Sequence, residues 1–299
     1  MNKLRYFYLL LFPLFDAAAG TPAEEAMSNA QMPHRILGAS NQQVRVHLAR
    51  VQGFLESDPD HQTHLATLKK TAQHCLANRE GNPVPANPPS TWPDYVMSMR
   101  KDGYVTANRS ITYIRSLSYL FNQVDCSLQE VVGFDAVLSS NSGTCRVDLV
   151  NKTAKGMCDA GGHANALPPA AERPLDPDQA AALEKMRSSM SPEMKLMMKK
   201  LNSEISGPRP KKVLLGLTCE VWKVFGQPSP AENFCFIFGV PFSVAASAYS
   251  GKLPSIELEA RSRYGYNLNP VEAQLDVPVS AAIFTPYLAS GFTITKAPR

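Results

Sequence analysis

Beyond its first twenty residues, this 299-residue chain has no run long and apolar enough to cross a bilayer as a helix, which takes about 20 such residues. That excludes an integral helical membrane protein. Charge of one sign is also scarce. The net excess is only +4, too little for the dense basic face of a nucleic-acid binder. Hydrolase signatures are missing: there is no G-x-S-x-G elbow and no H-E-x-x-H pair. A C-x-x-C motif is absent too, which argues against a thioredoxin-like redox site or a zinc knuckle. Ser98-Met-Arg-Lys101 matches S-x-x-K. It lacks the K-T-G and S-D-N partners that give that motif meaning, so no catalytic residue is assigned. Hydrophobic residues at 44% against 19% charged describe a chain that can build a core.

The N-terminus supplies a compartment. Lys3 and Arg5 precede the apolar run from Tyr6 to Phe15, and Ala17-Ala18-Ala19 follows. This is the pattern of a secretory signal peptide cleaved before Gly20, so residues 1–19 are expected to be removed and the protein to be periplasmic or secreted. In an oxidising compartment the six cysteines read as disulfides. Roughly fifteen pairings are open to six thiols, and sequence alone does not choose among them. Two pairs are favoured by position. Cys219 and Cys235 lie on two strand-like runs around the turn Gly226–Pro230, and Cys145 and Cys158 bracket a segment with a turn near Asn151-Lys152.

Further along, residues 20–33 are small and polar and read as a flexible leader. Residues 34–81 read as helical. Val44, Leu48, Val51 and Leu55 recur every three or four positions, and Leu65, Leu68 and Leu76 form a second series beyond Asp58-Pro59-Asp60. Five prolines between 82 and 93 mark a linker. From 94 to 299 the chain is β-rich, with strands expected at Tyr113–Phe121, Glu130–Leu138, Cys145–Val150, Leu217–Phe225 and Asn233–Phe238. A helical insert at 178–203 opens with the start signal Ser191-Pro192-Glu193. A further helix is expected at Phe242–Tyr249. The fold class is α+β: an antiparallel sheet with inserted helices, preceded by a small helical segment.

The order from residue 186 onward resembles a family of exported bacterial proteins of unassigned function. It runs from Met-rich Ser191–Leu201 through Leu215-Gly-Leu-Thr-Cys219-Glu-Val-Trp-Lys-Val224, Cys235 and Leu253-Pro254 to a terminal Phe-Thr-Pro…Gly-Phe292. That family is similar to periplasmic lipoprotein carriers and their outer-membrane receptor. The resemblance implies a curved half-barrel sheet with helices in its mouth, and by position it implies pairing of Cys219 with Cys235. The family's compact ending is stretched here by Tyr287 to Ser290. No catalytic residues carry over.

The residues expected at a ligand are the Met helix (Met190, Met194, Met197 and Met198, with Met186 on the same face) and Phe234, Phe236, Phe238 and Phe242. Methionine adapts to irregular apolar surfaces, so the expected partner is an apolar small molecule or lipid, or an envelope protein. Thioethers also suit Cu(I), which makes a copper-binding protein the alternative, beside a structural envelope-assembly factor. His61, His64, His74 and Cys75 lack metal-ligand spacing and read as a polar helix face. Neither a metal nor a cofactor is assigned.

Overall fold

The computed structural model describes residues 21–37, 42–55, 58–79, 83–106, 109–140, 143–158, 181, 184–185, 188–196, 209–223, 233–237, 256–262 and 266–296. Its strands are β1 (Gln43–Phe54), β2 (Met97–Val105), β3 (Arg109–Asn122), β4 (Ser127–Ser140), β5 (Gly143–Asp148) and β6 (Thr153–Gly156), followed by β7 (Lys211–Leu214), β8 (Leu217–Lys223), β9 (Asn233–Ile237), β10 (Ile256–Ser262), β11 (Tyr266–Ser280) and β12 (Thr293–Lys296). They form one 12-stranded sheet in the order β12-β6-β5-β4-β3-β2-β1-β11-β10-β9-β8-β7. All pairings are antiparallel except β12 with β6. The ends do not meet, so the fold is α+β with an open sheet and not a closed barrel. The expected meander through β3, β4 and β5 and the β8–β9 pair are present.

The central strand overturns one expectation. Residues 43–54 form a strand and not a helix, and they pair with β2 on one side and β11 on the other. Val46, Leu48 and Arg50 point to one face and His47, Ala49 and Val51 to the other, all 7% exposed or less. A strand buried on both faces has no period-2 alternation to read, and its apolar spacing then mimics a helix. The division of residues 34–81 from a later β domain therefore fails, because β1 is the middle of that domain. Gly53 shows how close the strands come: a Cβ there would lie 1.9 Å from the Asn267 carbonyl oxygen of β11.

The second expected helix is real. It is α3 (Asp58–Ala77), and a Cys75–Cys126 bond ties it to the turn between β3 and β4. Cys145–Cys158 and Cys219–Cys235 are also bonded, as expected, and the described residues contain no free cysteine. Residues 83–93 carry the chain from α3 to β2, so the proline-rich stretch joins parts of one sheet and does not separate domains.

The leader is ordered as well. Residues 21–36 form α1 (Pro22–Asn29) and α2 (Pro33–Ile36), laid as a strap across the face of the sheet that carries Val46 and Leu48. Thr21 and Glu24 make a reciprocal capping box at the start of α1, a signal hidden in what reads as low-complexity sequence. Met32 is fully buried among Val46, Leu48, Tyr104 and Ile111. Two 3-10 turns near the C-terminus (Ala281–Phe284 and Pro286–Leu288) add Ile283, Phe284 and Tyr287 to the same core. Of the four residues that stretch the C-terminal motif, Tyr287 packs into this core and donates its hydroxyl to the Cys158 carbonyl, while Leu288, Ala289 and Ser290 are exposed. The signal peptide lies outside the described residues.

Candidate functional site

The helix-bearing face holds an unusual row of charge. On β2, Ser98, Arg100, Asp102 and Tyr104 point towards this face, and all four are 4% exposed or less. Arg50 of β1 lies directly opposite Asp102, and Arg115 of β3 directly opposite Arg100. The Asp102 carboxylate accepts from Arg50 Nε at 2.8 Å and from Arg100 Nη2 at 2.6 Å. Burying charge at this depth is costly unless every group finds a partner. Arg100 also donates to the carbonyls of Met27 (2.9 Å), Ala30 (2.5 Å) and Gln31 (3.2 Å). The Met27 and Ala30 carbonyls belong to the last turn and C-cap of α1, which the helix leaves unsatisfied and where a cation also meets the negative end of the helix dipole. Arg50 reaches the Ala30 carbonyl at 3.2 Å.

The other end of the strap is tied by an acid. Glu24 accepts from the backbone N–H groups of Asp94 (3.0 Å) and Tyr95 (3.1 Å) as well as from Thr21 (2.8 Å). The Thr21 hydroxyl also bonds that of Tyr119, whose phenol is pushed up to about 12, chiefly by burial. Further along, the Tyr104 hydroxyl meets His34 Nδ1 at 3.0 Å, and burial lowers the His34 pKa. Polar ties at both ends and a single fully buried side chain, Met32, fasten the strap to the sheet.

Beside the strap the same face opens to solvent. Arg115 is half-buried and sits over Phe134, its Cζ 3.7 Å from the ring centroid. Phe134 is only partly buried, and Val132, two residues back on β4 and on the same face, is 59% exposed. Burial depresses the Arg115 pKa, and the neighbouring Arg100 depresses it further.

The sequence-derived site residues fare unevenly. Ser191 does start a helical turn, its hydroxyl accepting from the Met194 N–H at 3.2 Å. Met194 on that turn is 51% exposed, while Met190 is half-buried. Met186, Met197, Met198, Phe238 and Phe242 lie outside the described residues, as does the expected helix at 242–249. Phe234 and Phe236 stack on β9 with centroids 6.1 Å apart, and Phe234 packs against Val51, Ala260 and Leu268. β9 therefore holds both rings, with five strands between it and Phe134 on β4.

Other candidates separate. Ser98 points to the helix-bearing face, whereas Lys101 is on the opposite face and bonds Glu257 at 2.9 Å, so strand geometry dissolves the S-x-x-K match. His61 is buried between Phe54 and Tyr95, His74 bonds Asn78, and Cys75 is in a disulfide. Among the described residues no three His, Cys, Asp or Glu side chains are grouped to hold a metal ion.

The arginine row is not legible in the sequence because Arg50, Arg100 and Arg115 stand far apart along the chain and only strand pairing brings them together. The available signal was inverted alternation in Met97-Ser-Met-Arg-Lys-Asp-Gly-Tyr104, where the polar set faces in and Met97 and Met99 face the other side. No protein family, curated protein or solved structure matches the chain.

Proposed function

We propose that this is an exported, non-enzymatic binding protein. It holds an apolar ligand (a lipid or a lipoprotein acyl chain) against the helix-bearing face of a curved, lipoprotein-carrier-like half-barrel. One observation carries the reading: this face of a single open sheet is covered by the strap of residues 21–36 and two 3-10 turns, and not by a second sheet. An apolar face must be covered by something. Here residues 21–36 supply much of the cover, and their polar ties are replaceable by water if the strap lifts. The uncovered stretch at Phe134 and Val132 gives a ligand its point of entry. Three disulfides fit an oxidising compartment, in keeping with export after cleavage near Ala19.

Native mass spectrometry of the protein purified from the envelope without detergent tests this. The reading expects extra mass of several hundred daltons that is removed by organic extraction, on a chain lacking residues 1–19. A bare chain that also fails to take up lipid from vesicles would overturn it. One or more copper ions retained in stoichiometric amount would point instead to the methionines.

A further inference from the structure

We propose that Arg115, backed by Arg100, is an anion subsite of the binding face. The ligand is then an amphiphile with an anionic oxygen head group, a carboxylate or a phosphate. The inference rests on the ligand-binding reading above and names the chemistry of what is bound.

The argument starts from a charge imbalance. Arg50, Arg100 and Arg115 lie on two adjacent rows of one face and, among the described residues, share the one carboxylate of Asp102. That carboxylate is used up on Arg50 and Arg100. Arg115 receives no hydrogen bond acceptor for its Nε, which is buried. Its Cζ lies 3.7 Å from the Phe134 ring centroid, and a guanidinium placed there can take a planar or tetrahedral oxyanion through its terminal nitrogens. Like charges directly across a strand pair repel, yet Arg115 stands opposite Arg100. The cost of that placement is recovered when an anion arrives.

Geometry supplies the rest of an amphiphile site. Next to Arg115 on this face, Phe134 and Val132 form an apolar strip open to solvent, fit for the first carbons of a chain. Gln52 lies in the same row beyond Arg100, with a buried side-chain oxygen that has no donor. A protonated head group or a bridging water would satisfy it. Head group at Arg115 and tail along Phe134 and under the strap is the arrangement these residues favour.

The test uses the disulfide-intact protein, stripped of lipid on a hydrophobic resin. Binding of cis-parinaric acid and its methyl ester, which share one chain and differ in charge, is followed by fluorescence at low salt. The acid is expected to bind at least tenfold more tightly than the ester. Arg115→Gln should bring the affinity for the acid down to that for the ester, and Arg115→Lys should restore part of the preference. Displacement by oleate or by lysophosphatidate then tells a carboxylate from a phosphate head group. Equal binding of acid and ester by the native protein and by Arg115→Gln overturns the anion subsite and leaves the apolar reading standing. Failure of both probes to bind overturns the two together. Unfolding of Arg115→Gln in urea is the second readout. Relief of repulsion should leave the midpoint equal or higher, and a clear drop would make Arg115 structural and remove the proposal.

Discussion

Replacing Asp102 with asparagine would strike the charge row where it is least able to adjust. Its side chain is 2% exposed, that of Arg50 9% and that of Arg100 0%. The substitution keeps the shape and removes the one negative charge, leaving two guanidinium groups buried without a counter-ion. Breaking a buried ion pair typically costs about 3–5 kcal/mol. Here one carboxylate serves two cations, so the loss should sit at the upper end, about 5 kcal/mol. For a chain of this size that corresponds to a drop of about 8 °C in Tm. Urea suits the measurement, since a guanidinium salt would screen the charges under test. Arg45→Ala, which breaks the exposed Arg45–Asp276 pair at 2.5 Å, should leave the midpoint where it is. The strap should respond too. With Arg100 no longer held by Asp102, tryptic cleavage after Arg35 should accelerate at least tenfold. A loss below about 1 kcal/mol, with Arg35 still protected, would mean that water already reaches the row and that burial of charge does not organise this face.

Three further substitutions or conditions probe the frame. Gly53→Ala should cost at least about 2 kcal/mol in urea unfolding, because its Cβ meets backbone 1.9 Å away and no side-chain rotation relieves it; a neutral result would mean β1 and β11 can part freely. Removing disulfides as Cys→Ser pairs should rank by loop length: about 4 kcal/mol for Cys75–Cys126, separation 51, and about 3 for Cys145–Cys158 and Cys219–Cys235, separations 13 and 16. Equal losses for all three would place their effect in the folded state. Stability should also fall as pH drops below about 6.5, the ordinary histidine value. Burial lowers the pKa of His47 and His34 in the folded chain, so the unfolded chain binds more protons between the lowered values and 6.5. His47 Nδ1 accepts the Asp276 N–H at 2.9 Å and must stay unprotonated to do so. A His47→Gln variant should flatten the slope of Tm against pH between 5 and 7, and an unchanged slope would assign it elsewhere.

Much of the sheet was legible because several of its strands obey simple rules. β3 and β4 alternate, carry β-branched and aromatic side chains and end at polar turns, so their places and pairing follow from period two. Cysteine spacing favoured two of the three disulfides for the same reason, since each pair flanks a hairpin-sized segment. The third pair joins α3 to a distant turn, and no local pattern announces a contact across 51 residues. β1 failed for a different reason. Its burial on both faces is a property of the finished sheet, created by β2 and β11, which sequence places 43 or more residues away. The strap failed for a third. Thr21 and Glu24 are ordinary residues whose capping box becomes visible only once α1 has somewhere to dock.

The arginine row is the place where local rules and the fold disagree, and that disagreement is informative. A strand selected for stability alone would put Met97 and Met99 inward and Ser98, Arg100 and Asp102 outward. β2 does the reverse and offsets part of the cost by using Arg100 to hold three carbonyls at the end of α1. That explains Arg100, Asp102 and Arg50, each of which the strap or its counter-ion requires. It does not explain Arg115, which holds nothing in the strap and faces Arg100. The two substitutions should therefore move stability in opposite directions, Asp102→Asn down and Arg115→Gln level or up. If the row were purely structural, each loss would destabilise. Opposite signs would separate the part of the row that closes this face from the part that waits for a ligand.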